Sequence, residues 1–273
     1  MAGKKLLVIA GPTAVGKTSV AIALARHFHT SVVSADSRQI YREMTVGTAK
    51  PSPRERAEVP HYFIDTHGVE DEYNAARYAT EALDAIGEIF ERCDEVILCG
   101  GSGLYIKGVC EGFDEMPQVP EPVREDIMRH YEKEGVGWLQ EKMRELDPDG
   151  LATLDEKNPH RLIRALEVRM YSGEPISKFR SNRKAERPFD IVKIALELPR
   201  AELYQRIDDR MDRMIADGLF EEARGLYPLR AHNALQTVGY QEIFAFMVFV
   251  EDVSIPLLGI RGHIFADRLK HVI

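Results

Sequence analysis

The amino-acid sequence predicts an α/β protein: a parallel-sheet core with a helical insertion between two of its strands. Three observations carry this. Leu6–Ala10 is a short, wholly apolar run ending in glycine, the pattern of a central parallel strand covered on both faces. Strand and helix patterns then alternate as far as Gly112. From Met116 to about Arg187 only helical patterns occur, before strand character returns at Ile191–Leu198.

In chain order, Lys17–His27 reads as a helix with Val20, Ala21 and Leu24 at helical spacing. Ser31–Ser34, His61–Asp65 and Glu95–Cys99 read as further strands. Asn74–Phe90 is a helix carrying Ala75, Ala79, Leu83, Ile86 and Phe90 along one stripe. Met116-Pro117 and Val119-Pro120-Glu121-Pro122 form a proline-rich joint. Beyond it, Val123–Lys133, Trp138–Leu146 and Pro159–Tyr171 are helical. Asn158-Pro159 supplies an N-cap and a first-turn proline for the last of these, and Gly173 its stop. The expected organisation is a first core segment over 1–112, a helical insertion over 113–188, and a second core segment over 189–273.

Lys plus Arg number 36 against 44 Asp plus Glu, a formal net charge of -8, so any polynucleotide contact needs a local basic face and not the global field. Cys93, Cys99 and Cys110 form no close pair, which speaks against a disulfide framework and for a reduced, cytoplasmic setting. The nine histidines show no metal-ligand spacing. Lys4-Lys5 before Leu6–Ala10 imitates a signal peptide, but the apolar stretch is too short, and Glu251-Asp252 cut the run from Ile243 short of a membrane span. A soluble monomer is expected.

Gly11-Pro12-Thr13-Ala14-Val15-Gly16-Lys17-Thr18 matches G-x4-G-K-[ST] between a strand and a helix, which makes the core P-loop NTPase-like. Glycines let backbone amides curl around phosphate oxygens, and the helix N-terminus adds its positive dipole end. Lys17 neutralises a terminal phosphate, and the Thr18 hydroxyl suits Mg²⁺. The motif points to a polyphosphate, whether the diphosphate of a substrate or a nucleotide such as ATP.

Two further segments fall at carboxyl ends of strands, where ligands of open α/β sheets bind. Asp36, in Ser34–Tyr41, is placed to accept a proton or hydrogen bond from an attacking amine; it is equally placed to cap a helix containing Tyr41. Gly100-Gly101-Ser102-Gly103 allows close backbone approach at the same edge.

Together these residues resemble the tRNA dimethylallyltransferases (isopentenyl-tRNA transferases). The ordered set is Gly-Pro-Thr-Ala-x-Gly-Lys-Thr from Gly11, Asp36-Ser37-Arg38-Gln39-Ile40-Tyr41, Gly47-Thr48-Ala49-Lys50-Pro51, Val59-Pro60-His61 with Ile64-Asp65, and Gly100–Tyr105. Asn158–Glu167 and Gln236-Thr237-Val238-Gly239-Tyr240 complete it, so it reaches from residue 8 to about 244. The resemblance implies that dimethylallyl diphosphate seats its diphosphate on Thr13–Thr18 with Mg²⁺ near Thr18. A flipped tRNA adenine beside the anticodon then attacks the allylic carbon through its N6 amine, with Asp36 as base and Lys17 and Thr18 on the leaving diphosphate. It also implies tRNA contacts at Asp36, Ser37, Arg38, Gln39, Ser102 (threonine in the family), Arg124, His160, Arg161, Leu162, Ile163 and Arg164. From spacing alone, Arg161 and Arg164 share a helical face, with Leu162, Ile163 and Leu166 on the apolar side.

Arg206 and Arg210, one turn apart, are open to two readings: diphosphate contact, or ion pairing with Glu202, Asp208 or Asp209. Met211, Met214 and Trp138 read as core. The resemblance fades after Phe244, where the family carries a long basic helix; Pro256 interrupts any such helix, and only Arg261, Arg268 and Lys270 are basic. Two rival functions follow: a small-molecule P-loop kinase, and a tRNA-binding homologue inactivated by its altered C-terminus. The long helical insertion suits a polynucleotide better than a kinase lid would.

Overall fold

A computed structural model describes residues 3–180 and 184–252. The expectations for Pro256, Arg261, Arg268 and Lys270 lie outside the described residues. The chain is α/β, with a five-stranded, fully parallel sheet in the order β3-β2-β4-β1-β5. The strands are β1 (Lys5–Ala10), β2 (Val32–Ser34), β3 (His61–Tyr62), β4 (Glu95–Cys99) and β5 (Asp190–Ala195). Before β5 come α1 (Lys17–His27), α2 (Pro53–Glu58), α3 (Ala75–Phe90), α4 (Gly103–Glu111), α5 (Glu121–Glu134), α6 (Val136–Leu146), α7 (Pro148–Ala152) and α8 (Pro159–Ser172). After it come α9 (Arg200–Ala216), α10 (Leu219–Leu226) and α11 (Tyr240–Asp252). No described helix is long and apolar enough to cross a membrane.

The described residues form two compact units. One comprises residues 3–110 with 186–252; the other is residues 111–180 with 184 and 185. In the first, the central strands read as unbroken apolar runs because both sheet faces are covered. Leu6, Val8, Val33, Val96 and Leu98 face one cluster with Tyr78, Ala82, Ile86 and Ile89 of α3, and with Ile243 and Phe244. Leu7, Ile9, Val32, Ile97 and Cys99 face the other, against Ala21, Ile22 and Ala25 of α1. The helix caps are local: the Asn74 side chain accepts from the amides of Ala76 and Arg77, both at 3.0 Å, and Asn158 accepts from Arg161 at 3.3 Å.

Two expectations need correcting. The strand expected over His61–Asp65 ends at Tyr62, because Phe63 (φ 62°) and Asp65 (φ 57°) adopt left-handed backbone that cannot continue a ladder. Tyr41 is not in a helix: residues 37–40 are consecutive turns, and Tyr41 bridges His67.

The second unit packs α5, α6 and α8 around Ile127, Leu139, Met143, Leu162, Ile163 and Leu166. Glu167 is 1% exposed there, held by Arg124 at 2.7 Å and Arg164 at 3.0 Å. Trp138 packs partly buried against the same cluster, stacked on His130 with ring centroids 4.6 Å apart.

The loops leaving β2 and β4 touch. A Cβ at Gly100 would overlap the carbonyl of Ala35, so only glycine permits this approach. Gly100→Ala is expected to lower unfolding stability by about 3 kcal/mol, since backbone and not a rotatable side chain must yield; urea unfolding checks this, and an unchanged midpoint would contradict the contact.

Candidate functional site

At the carboxyl ends of β1 and β2 the first unit encloses a polar cavity of about 510 Å³. The phosphate loop contributes Thr13, Ala14 and Gly16, and α1 opens into it with Lys17, Thr18 and Ser19. Asp36, Gln39 and Ala49 come from the loops after β2, and Arg206, Arg210 and Arg213 from α9. Helix spacing explains the last three: positions i, i+4 and i+7 fall on one face.

The Lys17 ammonium is held by the carbonyls of Gly11 at 3.0 Å and Pro12 at 2.7 Å. Burial lowers its pKa; the neighbouring Cys99 and Asp36 oppose this, and Arg210 adds to it. Burial likewise depresses Arg210, against the attraction of Asp36, and pushes the Cys99 thiol up to about 11. Cations crowded out of water beside one another need an anion, which is the electrostatic condition for binding a polyphosphate.

Asp36 uses Oδ1 to close its own turn, accepting from the amides of Arg38 at 2.9 Å and Gln39 at 3.2 Å. The sequence allowed Asp36 to cap a helix; what it closes is a turn. This leaves Oδ2 outside the turn, in a residue that lines the cavity. Gln39 donates to the carbonyls of Thr48 at 3.1 Å and Ala49 at 3.2 Å, and Arg210 reaches Thr48 at 3.5 Å. Ser102 accepts from the Ser37 amide at 2.9 Å and donates to its hydroxyl at 3.1 Å, tying the β2 and β4 loops together.

Beside the polar cavity, and sharing Thr13 and Arg210 with it, lies an apolar chamber of about 290 Å³. Ile207, Met211, Met214, Leu219, Val238, Gly47 and Gly239 complete its lining. Met211 and Met214 belong to the core as expected, and they also wall this chamber.

Sequence reasoning proposed the phosphate loop, Asp36 and Gln39, and these meet in the cavity. Arg206 pairs with Glu202 at 2.8 Å, the second of its two readings, and also lines the cavity. Arg213 was missed, although its seven-residue spacing from Arg206 is a legible signal. Other members of the expected tRNA set are placed differently. The Arg38 guanidinium is committed to the carbonyls of Asn233 at 2.9 Å and Ala234 at 3.0 Å, so it anchors a turn. Leu162 and Ile163 are 0% and 4% exposed, and their side chains fill the core of the second unit because α8 turns its apolar face inward, as their spacing predicts. Arg124 and Arg164 clasp Glu167, while His160 and Arg161 are exposed at the start of α8.

The model of the family described as IPP transferase matches residues 39–256. The tRNA dimethylallyltransferase of Cytophaga hutchinsonii is 47% identical over 267 residues, covering 97% of this chain and 88% of that protein. The chain belongs to the IPP transferase family. Among solved members, the tRNA isopentenylpyrophosphate transferase of Bacillus halodurans superposes with a TM-score of 0.66 at 34% identity, covering 98% of this chain and 82% of that one. A eukaryotic dimethylallyltransferase acting on tRNA gives 0.77 at 26% identity, covering 98% and 66%.

Only the charged Lys17 binds an anion, and burial sets its pKa below the ordinary 10.5. Affinity for inorganic diphosphate is therefore expected to fall as pH rises through that lowered value, earlier than an ordinary lysine would dictate. Lys17→Arg should remove that alkaline loss, since a guanidinium stays charged over the same range. Calorimetric titration checks this; a wild-type affinity that holds flat to pH 10.5 would contradict it.

Proposed function

We propose that the chain is a tRNA dimethylallyltransferase, moving the dimethylallyl group from dimethylallyl diphosphate to N6 of the adenosine 3′-adjacent to the anticodon and releasing diphosphate. The supporting observation is the junction of two chambers: a cationic cavity holding Lys17, Thr18 and Asp36, and an apolar one, meeting at Thr13 and Arg210. A diphosphate joined to a short branched hydrocarbon needs that pairing. A small-molecule kinase places a polar acceptor beside the transferring phosphoryl group, where this chain has Met211 and Met214.

In the reaction, the carbon–oxygen bond to diphosphate breaks as the N6–carbon bond forms. Thr13–Thr18 amides, Lys17 and Arg210 stabilise the negative charge growing on the leaving oxygen. Asp36 accepts the proton shed by N6 through Oδ2, since Oδ1 is engaged in the turn. Diphosphate departs on the side of the phosphate loop, opposite the attacking amine.

The residues fit a magnesium ion. Thr18 presents a hard hydroxyl oxygen to the cavity, and an ion here would be shared with substrate phosphates and water, as magnesium prefers. Bound beside Thr18, it would neutralise diphosphate charge.

His160 and Arg161 are the exposed basic residues of α8 for tRNA, and Ser37, Gln39 and Ser102 belong with the loops around Asp36.

The test is incubation with dimethylallyl diphosphate, magnesium and unmodified tRNA, followed by nucleoside mass analysis. Wild type should yield dimethylallyl-adenosine. Asp36→Asn keeps an oxygen for the turn and loses the base, so it should fold normally and lose about 10²- to 10⁴-fold in kcat. Phosphorylation of a small acceptor by ATP, with no prenylated nucleoside, would sink the proposal in favour of a kinase; tRNA binding without transfer would indicate an inactive homologue.

A further inference from the structure

Outside the residues assigned a chemical role, Glu222 on α10 is a densely bonded side chain. Its Oε2 accepts from the amides of Thr45 at 2.9 Å and Val46 at 2.8 Å. Its Oε1 accepts from the amide of Gly47 at 2.9 Å and the hydroxyl of Tyr240 at 2.5 Å. Tyr240 is itself wholly buried at the start of α11. A single carboxylate thus holds consecutive amides of one loop and a phenol from the far end of the core. Charge-assisted bonds of this kind are the stronger class, and breaking one partner leaves buried donors unsatisfied.

The loop so held runs between the two chambers. Gly47 lines the apolar one and Ala49 the cationic one. A Cβ at Gly47 would overlap the Tyr240 ring, so the loop lies directly against it. Farther along, Ala49 adopts φ 45° and Gln39 binds the carbonyls of Thr48 and Ala49. Lys50 reaches the carbonyl of Tyr41 at 2.6 Å. A left-handed alanine survives only where its surroundings determine it from both sides. Gln39 and Lys50 supply one side, Glu222 and Tyr240 the other.

We propose that Glu222 and Tyr240 are positioning residues that fix the Gly47 wall of the apolar chamber and thereby set the affinity for the prenyl portion of the substrate. This rests on the reading of that chamber as the prenyl site. Neither residue lines either chamber, so they act through the loop. A clamp serving stability alone would leave ligand preference unchanged in any variant that still folds.

The test compares dissociation constants for dimethylallyl diphosphate and for inorganic diphosphate in wild type, Glu222→Gln and Tyr240→Phe, by calorimetry on the full chain. Glu222→Gln keeps the shape but places an amide donor against backbone donors; it should weaken dimethylallyl diphosphate by about tenfold and inorganic diphosphate by less than about twofold. Tyr240→Phe keeps the ring and removes one donor, so it should show the same asymmetry at about threefold. Should Glu222→Gln fail to fold by circular dichroism, Tyr240→Phe carries the comparison. Equal weakening of both ligands, or no change in either, overturns the proposal. A wild-type chain that binds inorganic diphosphate but gains nothing from the prenyl group overturns the reading of the chamber itself, and the clamp's role with it.

Discussion

The geometry of the site depends on the contact between Gly100 and the Ala35 carbonyl, where the loops leaving β4 and β2 press together without an intervening side chain. Because these strands are adjacent and parallel, their carboxyl ends open in one direction, and the glycine lets the following loops close to hydrogen-bond range. Ser102 can then bind Ser37, and the Asp36 turn is braced beside the phosphate loop that leaves β1. A parallel sheet supplies the common edge; the missing Cβ makes it narrow enough to gather a lysine, a hydroxyl and a carboxylate around one ligand.

Electrostatics at this edge run against those of the whole molecule. The chain carries a formal net charge of -8, yet Lys17, Arg206, Arg210 and Arg213 converge on one cavity. Burial depresses the pKa of both Lys17 and Arg210, so their charge is costly without a ligand and becomes favourable with one. Such preorganisation lets the same groups bind diphosphate and stabilise it as it leaves. Lining the adjoining chamber with methionines gives an adaptable apolar surface next to that charge.

How much of this could be read from the sequence depends on how local each signal is. The phosphate loop, the Asn158 cap and the Gly173 stop are encoded within a few residues, and the structure has them where the sequence places them. The turn at Asp36 was legible only as an ambiguity, because capping and catalysis demand the same side chain; the structure shows how one oxygen serves the turn while the other is left over. Arg38 reads as a basic contact by sequence, but its partners at Asn233 and Ala234 lie at the far end of the chain and leave no local trace. The apolar chamber was hidden for the same reason: Gly47, Met214 and Val238 become neighbours only after the core has formed. Leu162 and Ile163 were recognisable as an apolar face from helical spacing alone, and both side chains are buried.

The central claim is that a prenyl diphosphate straddles the junction at Thr13 and Arg210. The most direct measurement is a crystal structure of the chain with a non-reactive thiolodiphosphate analogue of dimethylallyl diphosphate. Diphosphate density is expected on the amides of residues 13–18, and the five-carbon chain between Met211 and Met214. Diphosphate density on that loop with the hydrocarbon directed away from the methionines, or an analogue bound elsewhere altogether, would contradict it.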